Sequence, residues 1–146
     1  MGRGILIGAL ATLAATAALA SAAGPLTVAQ YRTKANAACK AFNVKMAAVP
    51  APKTTAQYVT FYTAIVRYAP LQIDAIAKLD PPASLRTAQV TVIAADRALI
   101  ARLRALIPRL RTGSITIKQL QTDRTIIAQG TREETAFKRL GARGCL

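Results

Sequence analysis

A chain of 146 residues with 20 basic side chains, 6 acidic ones and 53% hydrophobic content is sized for one compact domain with a strong positive field. It contains no histidine, which excludes Ser-His-Asp and Cys-His nucleophile systems and removes the usual zinc, copper and haem ligand. Few glycines, many alanines and no alternating β-branched runs argue against a β fold and for an all-α one.

The N-terminus has the pattern of a secretory signal. Arg3 gives a short positive region, Ile5 to Leu19 is apolar or small throughout, and Ala20-Ser21-Ala22 offers small residues for cleavage. The expectation is a signal peptide over residues 1–22 and a secreted or extracytoplasmic domain over 23–146. The alternative is membrane tethering by an uncleaved helix, because Ile5 to Ala23 approaches spanning length. No cysteine follows the apolar run closely enough to be a lipoprotein anchor.

Four apolar-periodic segments follow. Thr27-Val28-Ala29-Gln30 is a capping box, and Val28, Tyr31, Ala35, Ala38, Phe42 and Met46 then form one stripe, predicting a helix over 28–48 that Pro50-Ala51-Pro52 ends. Thr54-Thr55-Ala56-Gln57 is a second box. The stripe from Tyr58 through Ile65 and Ile73 to Leu79 predicts a helix over 55–79, with Pro70 inside it and in register. At Leu79-Asp80-Pro81-Pro82-Ala83 that helix must stop, since two adjacent prolines cannot both sit in a helix interior. Asp80 is expected to cap the next helix, over 82–111, whose seam is Leu85, Val92, Leu99, Leu106 with Ile93, Ile100 and Ile107 beside it. Pro108 interrupts near its end. Thr116-Ile117-Lys118-Gln119 is a third box and opens a weaker stripe predicting one helix over 117–140, closed by Gly141. Short connections between such segments favour an antiparallel four-helix bundle built from two hairpins.

Cys39 and Cys145 are the only cysteines, and in an exported chain an even count predicts a disulfide. Closing that loop stabilises by about 4.7 kcal/mol in the chain-entropy model. Cys39 sits well inside the first helix, so the residues after Leu140 must turn back to reach it.

Tyr31…Asn36-Ala37-Ala38-Cys39, Pro50-Ala51-Pro52, Leu79-Asp80-Pro81-Pro82-Ala83 and the ending Leu140-Gly141-Ala142-Arg143-Gly144-Cys145 together resemble small exported helical proteins of unknown function from actinobacteria. The resemblance spans most of the chain after the signal. It implies an exported helical fold and carries no activity, ligand or catalytic residue; many such proteins have a lipoprotein cysteine, which this chain lacks.

The six carboxylates show no Glu-x-x-His pattern for a dimetal site, and there is neither a phosphate-binding Gly-rich loop nor a CxxC pair. Glu133 and Glu134 are expected to make surface pairs with Arg132, Lys138 or Arg139. No catalytic residue, metal site or cofactor is expected. Two features remain. Arg97, Arg104 and Arg111 form one seven-residue row, Arg102 and Arg109 another, and Lys118 and Arg124 follow, offset locally by Asp96 and Asp123 alone. This set is the candidate polyanion-binding face, with anionic lipid or an acidic envelope polymer as partner. Without aromatic interleaving or a recognition-helix pattern, sequence-specific nucleic-acid binding is not expected. The other feature is the aromatic run Tyr58, Phe61, Tyr62 and Tyr68, which could line a pocket for a small apolar ligand beside the second helix. Tyr58, Phe61 and Tyr62 equally fit the core stripe. Oligomeric state is not legible.

Overall fold

The structure is a computed structural model that describes residues 24–146. The expected signal segment and its cleavage point lie outside the described residues.

The fold is all-helical, with five α-helices and a closing 3₁₀ turn among the described residues. In chain order these are α1 (Val28–Ala47), α2 (Thr55–Ala77), α3 (Ala83–Arg111), α4 (Ile117–Gln121) and α5 (Arg124–Leu140), and the turn is Arg143–Cys145. All three Thr-x-x-Gln boxes close. Thr27, Thr54 and Thr116 each accept from the backbone N–H of the glutamine three residues on, and each glutamine side chain accepts from the threonine N–H. Two otherwise orphaned donors are satisfied at each start. α2 continues unbroken through Pro70 and α3 through Pro108.

Two expectations are corrected. The fourth segment is not one helix. Asp123 accepts from the backbone N–H groups of Thr125 at 2.9 Å and Ile126 at 3.0 Å, so it caps a new helix and α4 stops after Gln121. An aspartate at this position offers the backbone a stronger partner than continuing the helix does. Asp80, in turn, does not cap α3. Pro82 is the N-cap residue and no side chain bonds there. The two prolines place Asp80 two positions before the N-cap, too far back to reach the first-turn amides. Its carbonyl instead accepts from the Leu26 N–H at 3.1 Å.

The corner that follows α2 is held by a buried glutamine. Gln89 on α3 donates its side-chain amide to the carbonyls of Ile76 at 2.8 Å and Leu79 at 3.0 Å. The carbonyls that a helix end leaves unpaired are thus satisfied from the next helix. The Tyr31 hydroxyl, fully buried, faces Gln89; burial pushes this phenol up to about 12, partly offset by that neighbour.

Helices α1 and α2 pack together, α2 packs on α3, and α3 packs on α5. Two apolar clusters result. The larger joins Tyr31, Ala35 and Cys39 of α1, Ile73 and Ile76 of α2, Leu85 and Val92 of α3, and Phe137 and Leu140 of α5. The smaller joins Leu106 and Leu110 of α3 with Ile115 and Leu120, and Tyr58 and Tyr62 pack against it. Cys39 and Cys145 lie at disulfide distance, their Cα atoms 5.0 Å apart across 106 residues of sequence. The tail reaches α1 by turning at Gly141, which adopts a left-handed backbone (φ 68°) and has the Arg32 side chain filling the space a Cβ would need. A side chain there would be both strained and blocked. Arg32 donates to the Leu140 carbonyl at 3.1 Å, Asn43 to the Gly144 carbonyl at 2.8 Å, and the Gly144 N–H to Asn36 at 2.8 Å. No described helix is long and apolar enough to cross a membrane.

Candidate polyanion-binding face

The basic residues singled out in the sequence divide by what they touch. Arg97 reaches Asp74 of α2 at 3.9 Å, with both side chains more than half exposed. Solvent screening leaves such a pair worth little. Arg102 is committed to Asp123, the cap of α5, in a charge-assisted bond, and both side chains are partly buried. Arg104, Arg109, Arg111, Lys118 and Arg124 are exposed and, among the described residues, have no carboxylate within ion-pair distance. They belong to the last turns of α3, to α4 and to the first turn of α5, where the chain closes the smaller apolar cluster. One end of the molecule is therefore densely cationic.

Asp123 does not dilute that charge, because it is spent inside the fold. The bond from Arg102, then the amide of Ile126, hold its carboxyl below the usual aspartate range. A lowered folded value means the stabilisation is complete above the unfolded aspartate value of ~3.9 and disappears as pH falls through the lower folded value. Asp123→Ala removes the cap and strands Arg102, so we expect a loss of about 1–2 kcal/mol near neutral pH. Asp123→Asn, which keeps a capping oxygen, should lose less. Thermal melts of the two variants, repeated near pH 3 where the difference from wild type should shrink, check both points.

No family model, curated protein or solved structure matches this chain.

The aromatic run does not converge on one point. Tyr58 and Tyr62 stack with ring centroids 5.9 Å apart, Phe61 meets Tyr62 edge-on at 5.7 Å, and Tyr58 and Tyr62 pack on the smaller cluster. Burial, and then the neighbouring Tyr58, raise the Tyr62 phenol. Tyr68 lies elsewhere, between the Lys45 ammonium at 5.3 Å and the Arg67 guanidinium at 5.4 Å, beside a small cavity of about 70 Å³ against Phe42 and Leu71.

Two acidic residues depart from their expected places. Glu134 does pair with Lys138, at 2.5 Å, but Glu133 does not join a surface pair; it turns inward toward Asp96 of α3, which is buried and so does not offset the arginine rows. Helical spacing explains both. Glu133 stands four residues before Phe137 and seven before Leu140, on the inward stripe of α5, and Asp96 stands four after Val92 on the seam of α3. That spacing was present in the sequence and was the signal available for both. Among the described residues Arg132 and Arg139 have no carboxylate within ion-pair distance, and they flank a cleft of about 250 Å³ between α3 and α5, floored by Ala88 and Ala136.

Proposed function

We propose that this protein is an exported, non-catalytic bundle whose long helices α1, α2, α3 and α5 run antiparallel to their neighbours, and that it docks on anionic surfaces of the cell envelope through its cationic end. The observation that carries the reading is the group Arg104, Arg109, Arg111, Lys118 and Arg124, exposed and, among the described residues, without acidic partners, while the one carboxylate in that stretch is consumed by Arg102. Unpaired cations at a single pole keep their full field for an external polyanion, whereas cations matched within the fold do not. Arginine further suits phosphate and carboxylate groups through its two-pronged donor geometry.

The test is co-sedimentation with vesicles of mixed zwitterionic and anionic lipid, alongside an acidic polymer in solution. Each basic residue near an anionic membrane contributes about 1 kcal/mol. The triple variant R104Q/R109Q/R111Q should therefore bind anionic vesicles roughly a hundredfold more weakly, and wild-type affinity should fall steeply with added salt. Preference for polymer over vesicles at equal charge would identify the wall rather than the lipid as the surface. Wild-type binding that ignores salt, or an unaffected triple variant, would remove this reading.

A further inference from the structure

The second inference concerns the middle of the core and is independent of the cationic end. Between the two apolar clusters the seam of α3 carries an aspartate. Asp96 is only 5% exposed, and its Oδ2 atom has no hydrogen-bond partner among the described residues. Glu133 stands on the inward stripe of α5, the helix that packs on α3, and the two carboxyl groups are each other's acidic neighbours across that contact. Neither group has a cation within ion-pair distance among the described residues.

The charged neighbours on each element are otherwise engaged. Arg97, next to Asp96 on α3, turns to Asp74 of α2. On α5, Glu134 holds Lys138, and Arg132 lines the cleft floored by Ala88 and Ala136. From α1, the Tyr31 hydroxyl faces Gln89, and Cys39 is matched to Cys145 of the closing turn, beside Glu133. Two carboxylates in apolar surroundings cannot both ionise without a large cost, and a single proton between them removes it. That proton would also satisfy the orphaned Oδ2 atom.

We propose that Asp96 and Glu133 form a proton-sharing latch, which ties α3 to α5 while the pair holds a proton and loosens their contact when both carboxylates ionise. Burial, chiefly, raises both groups above the ordinary carboxylate range; the charge and hydrogen bond of Asp96 raise Glu133 further, while the bond from Glu133 draws Asp96 back somewhat. Raised folded values mean that the folded chain holds protons the unfolded chain has released. The latch contribution is thus complete below the free carboxylate value of ~4 and is lost as pH rises through the raised values toward neutrality. The chain has no histidine, so no other side chain of ordinary pKa changes charge between pH 5 and 8. Apart from the amino terminus, the pair sets the slope of stability in that interval.

Thermal midpoints of the full domain between pH 5 and 8 test the idea in wild type and in E133Q, whose amide donates to Asp96 at every pH. The wild-type midpoint should fall by several degrees as pH rises, and the E133Q profile should be much flatter. A wild-type midpoint that stays level or climbs, or an E133Q profile as steep as wild type, would overturn the latch. Infrared difference spectra of wild type alone give a readout that needs no variant. A protonated-carboxyl C=O stretch should persist near pH 6.5, where free carboxylates have ionised, and its absence there would equally overturn the proposal.

Discussion

Replacing Phe137 by alanine should cost about 3–5 kcal/mol, a large share of the ~5–15 kcal/mol that holds a domain together. Phe137 is 2% exposed and contributes the largest side chain of α5 to the main apolar cluster. Its ring bridges elements that are distant in sequence, since Tyr31 and Cys39 of α1, Ile73 of α2 and Val92 of α3 belong to the same cluster. Truncation would leave a void that the rigid surroundings only partly fill, which is why the cost exceeds simple transfer. The void would also adjoin a cavity of about 300 Å³ lined by Glu133 and Cys145. Phe137→Leu keeps most of the volume and should lose less than half as much. Urea unfolding of both variants gives the comparison, and a loss under ~1 kcal/mol for Phe137→Ala would contradict the placement of α5.

Removing the cysteine pair in C39A/C145A should destabilise by about 2–5 kcal/mol. The bridge closes a separation of 106 residues, so it restricts the unfolded chain more than the folded one. In the folded state the tail keeps its other tethers, the bonds of Arg32 to Leu140, Asn43 to Gly144 and Gly144 to Asn36. The fold should therefore persist with an unchanged helical spectrum. The denaturant midpoint should drop while the dependence on denaturant steepens, because the unbridged chain exposes more surface when it unfolds. Wild type in strong reductant should approach the double variant. If reductant left the wild-type midpoint where it was, the bridge would not be forming in solution.

Much of this architecture is local and could be read directly. Three helix starts were legible because Thr and Gln at that spacing satisfy their own backbone, whatever surrounds them. The seam of α3 was legible because Leu85, Val92, Leu99 and Leu106 recur every seven residues, and the fold buries all of them but Leu99, which is half-buried. The Cys39 and Cys145 pair followed from compartment chemistry and an even count. What escaped depended on neighbours that the sequence does not place. Asp123 looked like one more surface acid in a helix, and it is a cap because Arg102 and two free amides meet it there. Asp80 looked like a cap, yet two donor-less prolines separate it from the helix it would serve. Glu133 and Asp96 were read as surface charges by residue type, although their spacing put them on inward stripes. At the candidate face, the cationic residues were all legible, but not which were already matched: sequence cannot separate Arg102 from Arg104, and the fold does.

The bond from the Leu26 N–H to the Asp80 carbonyl ties the segment leading into α1 to the segment leading into α3. It lies at the corner that opens α3, and α3 then runs 29 residues, about 43 Å, to the arginines at its far end. Leu26 thus stands about one α3 length from the cationic pole, at the opposite end of the described domain. A label or support attached beside Leu26 would therefore leave the arginine-rich pole unobstructed.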